Sequence, residues 1–275
     1  MGNVMPLTPI EKLSHSTIRI ETDLATGTGF FFKFKEKDDG RSIPAIVTNK
    51  HVVKDAKTGE FVFTKKRHDG APDIGSISRF SIHDFETKWI MHPEPEVDLC
   101  ILPIGGLLNT SEQLGKSFFF LLLGKSLLPT PADLDDLIGL ESITMIGYPN
   151  GIWDENNNFP VFRKGTLASN IKYDWNGKKK FIIDCAVFPG SSGSPIFILD
   201  LGGFISKSGV TLGQGRIKLI GVIHAVFLHT AIGKVEVIDI PTKSVELISS
   251  QVPNNLGIAI KSERLLDFES MLPDF

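Results

Sequence analysis

The sequence predicts an all-β fold whose strands fall into two groups. Short runs rich in β-branched and aromatic residues recur along the 275-residue chain, and residues typical of turns separate them. Few stretches have a helical period. Between the two groups, residues 105–140 carry helical and loop signals, with Pro129 and Pro131 as breakers. This pattern indicates β-barrels or a sandwich, divided into two halves.

The order of the predicted elements defines three parts of the chain. The first group of strands comprises the runs STIRIE, GTGFFFKF, AIVTNKHVV, EFVFTKK, KWIMH and DLCILPI. The second comprises ESITMIGYP, PVFRKGTLAS, KKFIIDCAV, SPIFILD, RIKLIGVIHAVF, KVEVIDI and LGIAI. The final run, KSERLLDFESML, has the period and charge pattern of a short C-terminal helix. We therefore expect an N-terminal half in residues 1–105, a linker or insertion in residues 106–140 and a C-terminal half in residues 141–275.

Composition and charge exclude several classes of partner. The chain is 41% hydrophobic and 22% charged with a net charge of −3, which argues against a nucleic-acid-binding surface. Its longest apolar run, residues 118–123, is far shorter than the ~20 residues that span a membrane. The N-terminus lacks the basic and apolar regions of a secretory signal, and Cys100 and Cys185 resemble core residues of a reducing compartment. We expect a cytoplasmic protein with no nucleic-acid or membrane partner.

A glycine-rich turn in residues 187–197, VFPGSSGSPIF, is the first candidate for chemistry. Glycine lacks the Cβ that would keep a ligand away from the backbone N–H groups. Within the turn, Ser192 alone satisfies a G-x-S-G frame, whereas Ser191 and Ser194 do not. The turn is therefore either a hairpin with solvated serines or the site of a serine nucleophile that has a histidine and a carboxylate elsewhere.

Among seven histidines, His51 is the strongest candidate for a general base, since it follows the apolar run PAIVTN at a strand end. Asp98 is the candidate that would orient it, because VDLCIL places a lone acid inside an apolar segment, where an unpaired carboxylate is costly. Taken alone, Asp98 could instead cap a turn. Together, the chain order His51, Asp98, Ser192 is that of the chymotrypsin triad. Ser192 would attack a carbonyl, and the N–H groups of Gly190 and Ser192 would bind the oxyanion.

Eight motifs give the chain a resemblance to chymotrypsin-fold, trypsin-like serine proteases, from about Ser16 to Ile260. They are GTGFFF, IVTNKHVV, DLCIL, MIGYPNG, RKGTLAS, IDCAVFPGSSGSPIF, LIGVIHAV and LGIAI. The chain is most similar to the bacterial branch with HtrA-type proteases and stand-alone trypsin-like peptidase domains. This resemblance implies two antiparallel six-stranded β-barrels and a serine endopeptidase that forms an acyl-enzyme intermediate. His51 and Asp98 would come from the first barrel and Ser192 from the second.

Departures from the family are expected to affect regulation. Ser191 stands where animal trypsins carry the aspartate that pairs with a newly cleaved N-terminus, and no IVGG-like activation site is present. We therefore expect no activation through that ion pair. The expected arrangement also lacks the PDZ module of HtrA-type enzymes. Residues 106–140 are longer than a linker requires, so they form either a regulatory or docking element or a padded surface loop.

The resemblance also locates the primary specificity pocket. Its floor falls on Ala186 and its wall on the run Ile223, His224, Ala225 and Val226. The small apolar floor predicts a small or aliphatic residue before the scissile bond. If the strand register is counted from Gly221, the His224 side chain faces Asp98. A register shifted by one residue would instead turn His224 into the pocket, like the pocket histidine of glutamyl endopeptidases, and would predict acidic specificity. A third alternative is a core histidine without a role.

No motif calls for a cofactor or metal. Both GKS tripeptides lack the first glycine of a phosphate-binding loop, and the aspartates of residues 133–136 lack the pattern of an EF-hand. No histidines and cysteines have zinc-site spacing. The expected partner is a protein or peptide substrate, with a regulatory protein as a further candidate. Two alternatives remain open: a latent protease activated by a partner, and a non-catalytic peptide-binding relative.

Overall fold

The apolar runs of the sequence form strands in the structure, a computed structural model that describes residues 6–234 and 247–274. In chain order the first half contains α1 (Pro9–Ser14), β1 (Thr17–Thr22), β2 (Thr26–Phe34), β3 (Ile43–Thr48), α2 (Lys50–Val53), β4 (Thr58–Lys66), β5 (Pro72–His83), β6 (Ile90–Met91) and β7 (Cys100–Pro103). The middle stretch contains α3 (Gly105–Gln113), β8 (Phe118–Phe119) and α4 (Pro131–Asp136). The second half contains β9 (Ser142–Gly147), β10 (Val161–Leu167), β11 (Lys180–Asp184), β12 (Pro195–Asp200), β13 (Gly203–Ser206), β14 (Gly209–Leu212), β15 (Arg216–Lys234) and β16 (Leu247–Lys261). Short 3-10 helices span Phe85–Lys88, Lys125–Leu127, Pro149–Gly151 and Ser262–Met271.

The first half is one eight-stranded antiparallel sheet rather than the predicted six-stranded barrel. Its strands follow the order β5-β4-β1-β2-β3-β7-β6. Strand β8 lies outside this order and pairs with β4 at Thr64 and Lys65. Two short strands account for the difference in number. The two-residue β6 pairs with β7, and β8 comes from the middle stretch, where the sequence indicated only helix and loop.

The second half is a closed six-stranded barrel in the order β10-β11-β16-β15-β12-β9, as predicted. The hairpin of β13 and β14 lies outside it as a two-stranded sheet. The predicted strand KVEVIDI falls almost entirely in residues 235–246, outside the described residues. Together with the first sheet, this barrel confirms the all-β class and the chymotrypsin-like architecture.

Alternating side chains of β2 connect the two halves. Phe30, Phe32 and Phe34 are fully buried in a core that also contains Phe197 and Leu219 of the barrel. Phe31 faces the opposite side of the sheet, in the core of the first half. This period of two follows from the pleat of a strand. One aromatic stripe of the first half therefore packs in a core that it shares with the second half.

The predicted C-terminal helix is present as a 3-10 helix, Ser262–Met271. Leu265 and Phe268 are both fully buried, and residues three apart lie on one face of a 3-10 helix. Phe268 joins the core shared by the two halves. Within the described residues, no helix is long and apolar enough to cross a membrane.

The middle stretch packs against both halves. Phe118 and Phe119 pair with Lys65 and Thr64 of β4, and the buried Leu123 accepts a hydrogen bond of 2.9 Å from the Lys33 backbone. On the other side, Lys218 of β15 donates to an Asp133 carboxylate oxygen at 2.7 Å. These contacts hold residues 106–140 along much of their length.

Candidate active site

His51 lies in the single helical turn α2, directly after β3. Val52 and Val53 are buried and hold this turn against the first sheet, while 46% of the His51 side chain stays exposed. The side chain of the buried Asn49 donates to the Asp98 backbone oxygen at 2.7 Å. The strand end therefore leaves the imidazole partly exposed and is bonded to the segment that carries Asp98.

Asp98 holds the His51 ring through two contacts. Its Oδ2 lies 2.6 Å from His51 Nδ1, and its Oδ1 accepts the His51 backbone N–H at 3.1 Å. Both oxygens are therefore engaged by one residue, which fixes the ring orientation. With Nδ1 carrying the proton that Asp98 accepts, Nε2 of His51 is left to act as a base.

Burial raises the pKa of Asp98, but the nearby His224 ring, donation from the His51 ring and the charge of His51 outweigh burial and hold that pKa well below its usual range. His224 Nδ1 lies 3.7 Å from Asp98 Oδ2. This distance is longer than a hydrogen bond, so the 2.6 Å His51 contact is the stronger of the two. Asp98 is an ionised carboxylate at neutral pH.

The turn needs glycine at two positions. Gly190 has φ +85° and Gly193 has φ +86°, a left-handed conformation that other residues rarely adopt. A Cβ on Gly190 would lie 2.4 Å from the Tyr148 backbone oxygen, and one on Gly193 would lie 2.0 Å from the Thr28 backbone oxygen. Backbone from both halves therefore packs directly against the turn, and only glycine fits.

Thr28 of β2 anchors the turn to the first sheet. Its backbone N–H donates to the Ser192 carbonyl at 2.9 Å, and its hydroxyl donates to the Gly190 carbonyl at 2.8 Å. The same hydroxyl accepts from the Tyr148 N–H at 3.1 Å. Sequence reasoning did not single out Thr28, although it lies inside the GTGFFF motif. This residue binds the candidate nucleophile's segment to the half that carries the candidate base.

The turn leaves two backbone donors free. The Pro189 carbonyl accepts a hydrogen bond of 2.6 Å from the Asn150 N–H. In a trans peptide the carbonyl and the next N–H point in opposite directions, so the Gly190 N–H is directed away from Asn150. Among the described residues, neither the Gly190 N–H nor the Ser192 N–H donates a hydrogen bond. Within the described part of the chain, both predicted oxyanion donors are therefore without a backbone acceptor.

His224 lies at a β-bulge of β15. The register with β16 shifts between Ile223 and Ala225, so His224 is the extra residue. A bulge re-aims a side chain, and here the ring faces Asp98, which agrees with the count from Gly221 and not with the slipped register. The sequence shows no signal for this bulge.

The predicted pocket residues divide into two groups. Ala186, Ala225 and Val226 are partly exposed. Ile223 is fully buried in the barrel core, so its side chain is packed away from a pocket wall; its backbone instead bonds the turn at Gly193 and Ser194. Sequence reasoning missed Arg163 of β10, whose Nη1 donates to the Ala186 carbonyl at 3.2 Å.

The described residues of this site contain no cluster of potential metal ligands. Across residues 6–234 and 247–274, no group of three or more His, Cys, Asp or Glu side chains could hold a metal ion. Cys100 and Cys185 are buried and unpaired, and burial raises the pKa of each thiol. Neither cysteine contributes a nucleophile to the cleft.

Comparison with known protein families agrees with this fold. The trypsin-like peptidase domain family matches residues 27–205, which is more than half of the chain, and the protein belongs to that family. It is thus a trypsin-like peptidase. No protein of curated function matches the sequence.

Solved structures include two similar chains. One is Rv3671c from M. tuberculosis H37Rv, a serine-to-alanine mutant in an inactive form, with 14% identity, a TM-score of 0.44 and coverage of 97% of this chain and 93% of that chain. The other is the Rv3671c protease in an inactive form, with 13% identity, the same TM-score of 0.44 and the same coverage of 97% and 93%.

Proposed function

We propose that the protein is a serine endopeptidase in which Ser192 is the nucleophile, His51 the general base and Asp98 the residue that orients His51. The observation that carries this proposal is the 2.6 Å contact between His51 Nδ1 and Asp98 Oδ2. Together with the family match, it supports a working base rather than a histidine that only fills space.

The reaction would proceed through an acyl-enzyme. Ser192 Oγ attacks the scissile carbonyl while His51 Nε2 takes the hydroxyl proton. The C–N bond then breaks, and the same proton passes to the leaving amine. A water molecule attacks the resulting ester, giving its proton to His51, and Ser192 leaves with that proton. Asp98 stays ionised throughout and stabilises the imidazolium.

The free N–H groups of Gly190 and Ser192 are proposed as the oxyanion hole. Removing one such donor in a known protease costs roughly 10²–10³ in rate. The turn would therefore contribute to catalysis through its backbone as well as through the Ser192 hydroxyl. This role explains why two positive-φ glycines occur where the halves meet.

Two types of substrate residue are candidates for the position before the scissile bond, and a different residue of the protein favours each. Ala186 places no carboxylate at the pocket floor, which disfavours a lysine or arginine substrate and supports a small or aliphatic residue before the scissile bond. Arg163, bonded to the Ala186 carbonyl, favours an acidic residue instead. With His224 turned towards Asp98, an acidic preference would not depend on a pocket histidine.

We place the enzyme in the cytoplasm of a bacterium, from the resemblance to bacterial stand-alone peptidase domains and from the two unpaired cysteines. Its partner would be a protein or peptide substrate. Two alternatives make different predictions: a latent protease would require an activating protein, and a peptide-binding relative would bind substrate without cleaving it.

Labelling with a fluorophosphonate, read by intact mass, tests the proposal. The wild type is expected to gain one adduct and Ser192→Ala none, while Ser270→Ala, at an exposed serine, should label like the wild type. Labelling that appears only with a cell extract would favour the latent protease. No adduct under either condition on folded protein would contradict the proposal and favour the binding module.

A further inference from the structure

Arg163 points into the second barrel at the level of the candidate pocket. It lies on β10 directly opposite Met145 of β9, and residues opposite each other in an antiparallel pair share a face. Met145 belongs to the barrel core, whereas the next residue, Lys164, is exposed. The guanidinium of Arg163 therefore comes from the inner face of the barrel.

Two residues of the segment before Ser192 contact the Arg163 guanidinium. Nη1 donates to the Ala186 carbonyl at 3.2 Å, and Cζ lies 4.9 Å from the centre of the Phe188 ring, a cation–π distance. Both Ala186 and Phe188 are partly exposed. The positive charge is thus held against the backbone that forms the predicted pocket floor.

Among the described residues, Arg163 has no carboxylate partner, whereas the other six arginines each have one. The sequence contains seven arginines, all within the described residues. Six form ion pairs with an aspartate or glutamate, at positions 19, 41, 67, 79, 216 and 264. Arg163 forms none there, and its buried Nε has no acceptor.

Arg216 gives the most useful comparison. Only 11% of its side chain is exposed, and two carboxylates, from Glu141 and Asp200, lie 2.8 and 2.9 Å from its Nη2. A partly buried cation normally has such partners because desolvation is costly. For Arg163, the Ala186 carbonyl and the Phe188 ring are the described groups that offset the desolvation of the guanidinium. A site of this kind is incomplete without an anion.

We infer that Arg163 binds the carboxylate of an acidic substrate side chain, so that the peptidase cleaves after glutamate or aspartate. This inference rests on the proposed function. The planar guanidinium can donate to a carboxylate through the Nη hydrogens that do not bond the Ala186 carbonyl, whereas Nε itself is buried. Ala186 supports this role, because a small floor leaves room for the acid. An aliphatic side chain there would leave Arg163 unpaired and more desolvated.

Binding to full-length Ser192→Ala tests the inference without requiring catalysis. Two fluorescent peptides would differ only in Glu or Gln before the scissile bond, which exchanges a carboxylate for an amide of the same shape. Fluorescence anisotropy should give at least tenfold tighter binding of the Glu peptide. In the Ser192→Ala background, Arg163→Met should bring the Glu/Gln ratio close to one, and Arg163→Lys should retain part of it. Arg67→Met, which removes an arginine from an exposed turn, is the matched control and should keep the ratio.

Equal binding of the Glu and Gln peptides by Ser192→Ala with Arg163 intact would overturn the inference, whatever the results for the Arg163 variants. A Glu preference that survives Arg163→Met in a folded protein would also overturn it, because another group would then bind the acid. Tighter binding of a Leu peptide than of either would favour the aliphatic pocket. A failure of the proposed function is distinguishable, since it would appear as absent fluorophosphonate labelling with the Glu preference intact.

Discussion

Asp98 is the residue on which the orientation of His51 depends. It contacts both the ring and the backbone of His51, and Nδ1 of the His224 ring lies nearby, 3.7 Å from Asp98 Oδ2. The two histidine rings beside the carboxylate help to keep Asp98 ionised. At this scale the chemistry rests on one ionised side chain in a partly buried position.

Replacing Asp98 with asparagine should reduce kcat by about 10⁴, as the equivalent change does in a known triad, because the amide favours the wrong tautomer of His51. A peptide assay near pH 7 measures this loss, with Asp69→Asn, in an exposed turn, as the control. A loss of less than tenfold would show that Asp98 does not orient the base.

Asp98 should also stabilise the fold in a pH-dependent way. Its folded-state pKa is depressed, so its contribution is present above the unfolded-state pKa of about 3.9 and is lost as pH falls towards the folded-state value. The difference in free energy of unfolding between wild type and Asp98→Asn should be constant above about pH 5 and should decrease at pH 3. Urea unfolding at both pH values measures it. A difference that grows on acidification would contradict the assigned direction.

The turn of residues 187–194 and the strand β2 are the elements that assemble the site. Thr28 bonds the turn at Ser192 and Gly190, and the turn glycines leave no space between the two halves. The oxyanion donors are therefore positioned by packing between halves as well as by the local sequence. A change in either element should alter the site.

Gly190→Ala should abolish fluorophosphonate labelling and destabilise the protein by about 1–3 kcal/mol, because the new Cβ would meet the Tyr148 carbonyl and the backbone would remain at positive φ. Gly177→Ala is the matched control. Gly177 has φ +71° but nothing within 4 Å of an added Cβ, so only the backbone strain applies and labelling should be retained. Normal labelling of a folded Gly190→Ala protein would refute the role given to this turn.

At the scale of the whole molecule, the core shared by the first sheet and the barrel holds the cleft together. Phe32 is fully buried in this core, where side chains of both halves meet. Coupling of the halves through one core should make them unfold as a unit, although the strands of each half pair mostly within that half.

Phe32→Ala should lower the free energy of unfolding by about 3–5 kcal/mol, the usual cost of emptying a buried phenylalanine site. Urea unfolding should show one transition, monitored by tryptophan fluorescence and by circular dichroism. The exposed Phe227 provides a control, and Phe227→Ala should cost far less. Two separate transitions in the wild type would contradict the shared core.

Features that depend on short local motifs could be predicted from the sequence. Features that depend on pairing between strands distant in the chain could not. The His51 strand end, the lone acid Asp98 and the glycine-rich turn are each contained in a short motif, and the structure brings His51 and Asp98 together. Arg163 and β8 could not be predicted, because their roles depend on which strand or segment lies opposite them. The bulge at His224 also has no local signal, since it is defined by register with β16.

Cleavage of a complex peptide library, read by mass spectrometry as new peptide termini, tests the central claim most directly. Wild type should produce new termini within the peptides, and Ser192→Ala and His51→Gln should produce none above background. Cleavage by wild type that persists in Ser192→Ala would contradict the serine mechanism. No cleavage by a wild-type protein that carries the fluorophosphonate adduct would contradict the endopeptidase activity itself.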